Sequence, residues 1–108
     1  MAANVPDFTD DNFEQEVMKS EIPVVVDLWA DWCAPCRAIA PALDELVNES
    51  GGAIGLAKVN VDEQPGLAAR YGIRSIPTIL FMKGGKVLDQ VIGAVPKTQL
   101  RKKLDAIG

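Results

Sequence analysis

Val24-Val25-Val26-Asp27-Leu28-Trp29-Ala30-Asp31-Trp32-Cys33-Ala34-Pro35-Cys36-Arg37 is the stretch on which the reading of this chain turns. Its first half is a β-branched apolar run of the kind that forms a strand buried on both faces. Its second half opens a helical pattern, with Pro35 suited to a first turn where its missing N–H costs nothing. Cys33 and Cys36 lie at the junction, and they are the only cysteines in 108 residues. At a helix N-terminus, unpaired backbone N–H groups and the positive end of the helix dipole favour a thiolate. One turn further on, a second sulfur is close enough to bridge to the first.

Such a pair has three uses, and they differ in what else they require. A structural zinc site needs four Cys or His ligands, and the chain has no histidine and no further cysteine, so no metal site is expected. A purely structural disulfide over so short a loop removes little disorder from the unfolded chain. A redox-active dithiol is what remains. The apolar stripe Cys36, Ile39, Leu43, Leu46 and Val47 puts Cys36 on the inward face of the helix, while Cys33 stays at its tip. Cys33 therefore reads as the accessible attacking thiol and Cys36 as the protected resolving one.

Length and composition bound the rest. A chain of 108 residues, 48% apolar and 24% charged, is expected to form a single domain, residues 1–108, around one core. A net charge of −4 argues against nucleic acid or an anionic membrane surface as partner. No apolar run is long enough to span a bilayer, and the first residues carry neither a basic start nor a long apolar stretch. The expected compartment is a reducing one, the cytoplasm, where Cys-x-x-Cys reads as catalytic.

Strand-like and helix-like pieces alternate along the chain, which argues for an α/β sandwich. Asn4 to Phe8 is a weak edge strand containing Pro6. Thr9 then caps a helix over Asp10 to Ser20, with a Phe8–Phe13 staple and a Phe13, Val17 stripe. Val24 to Trp29 follows, interrupted by Asp27. That carboxylate either faces water at a strand end or lies buried beneath the cysteines, where desolvation raises its proton affinity. The helix from the cysteines runs to about Glu49 and should kink at Pro41. Ile54 to Val61 is the next strand. Its Lys58 either snorkels to water or pairs with Asp27 across adjacent parallel strands. A short helix, capped by Asp62 and built on Leu67 to Tyr71, stops at Gly72. Ile76 to Met82 and Val87 to Ile92 flank a Gly84-Gly85 hairpin. Gly93 after that strand serves either a close backbone approach or a plain turn. Pro96 to Ile107 is the last helix, with Lys97, Arg101, Lys102 and Lys103 as its solvated face.

Together with Ala40-Pro41, Lys58-Val59-Asn60-Val61-Asp62, Tyr71 to Thr78 and Ile92-Gly93-Ala94, the Trp-Cys-x-Pro-Cys stretch resembles the thioredoxin family along the whole chain. The resemblance implies a thioredoxin fold, an α/β domain with a central five-stranded mixed sheet in the order 1-3-2-4-5 flanked by four helices. It also implies a cis bond at Ile76-Pro77. Carried over, Cys33 is the nucleophile, Cys36 the resolving thiol and Asp27 its proton acceptor with Lys58 alongside. Ala34 and Pro35 would tune the redox potential, with Ala34 standing where the family usually has Gly and Arg37 where it usually has Lys. Trp32, Ile76, Pro77, Gly93 and Ala94 would form the apolar substrate surface, and Trp29 and Pro41 would have structural parts.

The implied activity is protein disulfide reduction by dithiol–disulfide exchange, with no cofactor besides the Cys33–Cys36 disulfide. The implied partners are disulfide-containing target proteins and a reductase, NADPH- or ferredoxin-linked, acting on a monomer. The alternative is a thioredoxin-like interaction subunit whose redox activity is incidental. An oxidase or isomerase is disfavoured, because such relatives usually carry His where this chain has Pro35.

Overall fold

In the computed structural model, residue 13 and residues 17–107 are described. The edge strand expected over Asn4 to Phe8, the Thr9 cap and the Phe8 staple lie outside them, as does most of the helix from Asp10. Within them the order is β1 (Val24–Trp29), α1 (Ala34–Glu49), β2 (Gly55–Asn60), α2 (Pro65–Arg70), β3 (Thr78–Lys83), β4 (Lys86–Ile92) and α3 (Lys97–Ile107). The described sheet thus has four strands and three helices beside it, not the five and four expected. Its order, β2-β1-β3-β4, is the expected one without the first strand. The fold is the thioredoxin fold.

Every residue of β1 is buried, as a continuous apolar run in a central strand should be. β2 pairs with it in parallel and β3 antiparallel. The strand's period of two divides the core into halves. Val24, Val26 and Leu28 point to one face, packed with Phe13, Val17 and Leu67 of α2. Val25 points to the other, packed with Ile39, Leu43 and Leu46 of α1 and with Leu100 and Leu104 of α3. Asp27 and Trp29 share the parity of Val25, so both belong to the face that α1 covers.

The hairpin between β3 and β4 is the two-residue loop expected, with Gly84 at φ 60° and Gly85 at φ 78°, the primed geometry that follows the strand twist. α1 runs unbroken through Pro41. α2 differs from expectation at its start. Asp62 is not its cap: Pro65 fixes the first turn and Gln64 precedes it. The Asn60 side chain instead holds the approach, its Oδ1 accepting the backbone N–H of Asp62 at 2.9 Å and of Glu63 at 3.3 Å. The end is as expected. Gly72 takes φ 63°, Gly72 N–H donates to Ala69 C=O and Ile73 N–H to Ala68 C=O, closing a Schellman motif.

The basic face of α3 is not simply solvated. Lys97 and Arg101 reach Glu45 and Glu49 of α1, and Lys103 reaches Asp89 of β4 at 2.7 Å. Helix packing brings the carboxylates of neighbouring elements opposite these cations, a proximity that one helix's own periodicity does not contain. The Lys103 and Lys97 hydrogen bonds hold the Asp89 and Glu45 carboxyls below their ordinary range. These groups are exposed or half-buried, so each pair contributes little.

Candidate active site

β1 delivers the chain to a turn in which Cys33 N–H donates to Ala30 C=O, and α1 begins at Ala34. Cys33 is the N-cap in extended conformation, and its sulfur does the work a Ser or Asp oxygen usually does, accepting the Cys36 backbone N–H at 3.2 Å. Pro35 occupies the first turn. Cys33 and Cys36 are joined in a disulfide, with Cα atoms 5.3 Å apart. A thiolate at Cys33 would inherit both the donated N–H and the helix dipole, and both favour the charged form.

The two sulfurs differ in access as the stripe argument requires, but by little. Cys36 is fully buried and Cys33 is 3% exposed. Cys33 is therefore not the open tip residue that its place at the helix end suggests. Trp29, Ala30, Val61 and Ile76 pack around the bridged pair and leave little of it to solvent.

Beneath the pair, the alternatives for Asp27 and Lys58 resolve. Asp27 is fully buried and Lys58 is 1% exposed, so neither faces water. Parallel pairing sets Asp27 opposite Lys58, and Lys58 Nζ lies 3.6 Å from Asp27 Oδ2. Asp27 sits between Val25, which packs on the body of α1, and Trp29, which packs on the cysteines. That places its carboxyl under the first turns of α1. Burial favours its neutral form and the ammonium favours its anion, so opposed effects set its proton affinity.

Two participants escaped the sequence reading. Asp44 of α1 puts Oδ1 3.4 Å from Lys58 Nζ, making the lysine the centre of a three-member ion cluster. Asp44 stands on the flank of the inward stripe, directly after Leu43. A lone carboxylate there, matched against a lone lysine in a buried strand, was the only available signal. Asp62 accepts the Trp32 indole N–H at 2.8 Å, which fixes a side chain that is 69% exposed.

Among the described residues, hollows lie on either side of the turn that carries the disulfide. One, about 500 Å³, lies against Trp32, Val61, Ile73, Arg74 and Ile76. The other, about 320 Å³, lies on the α1 side, against Trp29, Asp31, Arg37, Pro41 and Asp44. The Arg37 guanidinium donates to the Asp31 carbonyl across its mouth. The Ile76-Pro77 bond is cis, and Pro77 C=O accepts the Gly93 N–H at 2.9 Å. Ile76 and Gly93 are half-buried, Pro77 is buried and Ala94 exposed. Gly93 has φ 90°, and a Cβ built on it would meet nothing within 4 Å. Its backbone conformation calls for glycine, and among the described residues the space a Cβ would take is open.

Comparison with known proteins agrees with this geometry. The family model described as Thioredoxin matches residues 4–106. The chain is 54% identical over 97 residues to Thioredoxin 1 of Nostoc sp., covering 90% of this chain and 91% of that protein. It is 50% identical over 97 residues to the Thioredoxin of Chlorobaculum thiosulfatiphilum, covering 90% of each. It is also 50% identical over 101 residues to the chloroplastic M-type thioredoxin of Spinacia oleracea, covering 94% of this chain and 56% of that one. With its Cys33–Cys36 disulfide at the head of α1, this chain belongs to the thioredoxin family, as a protein-disulfide oxidoreductase.

Proposed function

We propose that the chain acts as a monomeric single domain that reduces disulfides in other proteins, with Cys33 as nucleophile, Cys36 as resolving thiol and Asp27 as proton acceptor. In the reduced protein, the Cys33 thiolate attacks one sulfur of a substrate disulfide. A mixed disulfide forms, and the other substrate sulfur leaves as a thiolate that takes a proton from solvent. Cys36 then gives its proton to the Asp27 carboxylate and attacks Cys33 Sγ. The Cys33–Cys36 bond forms, the second substrate thiolate leaves, and two electrons have passed from this chain to the target. The sulfurs are themselves the electron carrier.

The apolar rim of Trp32, Ile76, Pro77, Gly93 and Ala94 would receive the target, with the Ile76 backbone pairing to an extended segment. The open space over Gly93 suits such an approach. Ala34 and Pro35 would set the potential by shaping the turn between the sulfurs. A separate reductase, NADPH- or ferredoxin-linked, regenerates the dithiol, and a reducing compartment such as the cytoplasm suits this direction of exchange. Among the described residues no helix is long and apolar enough to cross a membrane.

The observation that carries this reading is the bridged pair in which Cys33 caps α1 and Cys36 is sealed beneath it. Insulin reduction with a dithiol donor tests it. Cys33→Ser should abolish turnover, whereas Cys36→Ser should accumulate mixed disulfides that mass spectrometry identifies. Equal trapping by both variants would reverse or void the roles, and turnover by Cys33→Ser would leave only an interaction subunit.

A further inference from the structure

Lys58 has two carboxylates, and an exchange mechanism built on Asp27 alone uses one. The second is Asp44, with Oδ1 at 3.4 Å from the same ammonium that stands 3.6 Å from Asp27. The three differ in depth. Asp27 and Lys58 are sealed, whereas the Asp44 side chain is 24% exposed and borders the 320 Å³ hollow on the α1 side. Asp44 is thus the member of the cluster that meets solvent, on the face away from the Trp32 groove.

We propose that Asp44 is a positioning residue for the exchange reaction: by serving as the standing counter-ion of Lys58, it leaves the Asp27 carboxyl able to take up and release a proton. The inference rests on Asp27 being the acceptor. With Asp44 ionised, Lys58 is compensated whether Asp27 is neutral or charged. Without it, Asp27 would be the only anion paired with Lys58 among the described residues, and protonating Asp27 would strand that buried cation at a large desolvation cost. Asp44 also repels a charge on Asp27 directly, since two oxygens that touch one ammonium lie within about 7 Å of each other. Both effects raise the proton affinity of Asp27.

Strand register sets Lys58 of β2 and the apolar Ile79 of β3 opposite Asp27. On α1, the Arg37 guanidinium is held by the Asp31 carbonyl at the mouth of the hollow.

The test mixes reduced protein with one equivalent of 5,5′-dithiobis(2-nitrobenzoate) by stopped flow across pH 5–9. The first chromophoric thiolate reports attack by Cys33 and the second reports resolution by Cys36. Asp44→Asn should move the inflection of the second phase down by on the order of one pH unit, with the first phase changed less than twofold as the control for folding. Asp44→Glu should restore most of that shift, and Asp44→Asn should add nothing in an Asp27→Asn background. A second-phase profile unmoved by Asp44→Asn, while Asp27→Asn abolishes its inflection, overturns the role of Asp44 and spares that of Asp27. An equal shift in the double variant, or no recovery with Glu, overturns it as well. A second phase indifferent to Asp27→Asn removes the acceptor itself, and the proposal with it.

Discussion

Replacing Lys58 by Met nearly keeps the volume of the side chain, shortens it by one atom and deletes its charge. At the 3.6 Å separation from Asp27, a unit-charge pair with an effective dielectric of about 20 is worth about 4–5 kcal/mol, and stranding one buried partner typically costs about 3–5 kcal/mol. That cost arises only while Asp27 is charged. Where Asp27 is protonated, what remains is a packing swap of about 1 kcal/mol together with the loss of the part-exposed Asp44 partner at 3.4 Å. Losing the ammonium raises the proton affinity of Asp27 in the folded state above that of an unfolded aspartate. A group raised in this way contributes stability at low pH that is lost as pH rises through its folded-state value. The destabilisation by Lys58→Met should therefore grow with pH. Urea unfolding of the oxidised protein should give the smaller loss at pH 5.5 and at least about 2 kcal/mol more at pH 9. A loss that is equal at the two pH values, or larger in acid, would refute the claim that Asp27 and Lys58 are an electrostatic pair sealed from water.

Tyr71 is the only tyrosine in the chain, so its ionisation can be followed by ultraviolet absorbance alone. Burial pushes its phenol above 10.0, the nearby Arg70 opposing only in part, and a titration midpoint at or below 10 would contradict that packing. Because the folded value is raised, the stability Tyr71 lends is present below pH 10 and fades as pH climbs through the shifted midpoint. Gly93→Val should cost about 1–2 kcal/mol, since φ 90° is unfavourable for any side chain. It should also lower kcat/KM for insulin at least fivefold while leaving the reaction with a small aromatic disulfide within twofold. Unchanged insulin reduction would show that targets do not come close to that glycine.

The frame of the fold was legible because its signals are local. The β-branched run of β1, the stripe from Cys36 to Leu46, the double-glycine hairpin and the Gly72 stop each require only a few neighbouring residues. The cysteine pair was legible for the same reason, being two sulfurs at a fixed helical offset. What escaped is what packing creates. Lys58 could be read either way until strand register set it against Asp27, and Asp44 joined them only when α1 settled on the sheet. Asp62 has the chemistry of a helix cap, but Pro65 moved the helix start away and the indole of Trp32 claimed the carboxylate. Three cations of α3 looked solvated because their partners belong to α1 and β4.

The placement of Asp27 on β1 has a mechanical consequence. That strand is hydrogen-bonded along both edges and covered on both faces, which makes it part of the last structure to open in any fluctuation short of global unfolding. The Asp27 carboxyl and the helix tip that carries the sulfurs therefore hang from a strand held on both edges and both faces. On the function proposed above, targets of different shape would be accommodated at the periphery, by the loops bearing Ile76 and Gly93, while the bridged sulfurs keep one position.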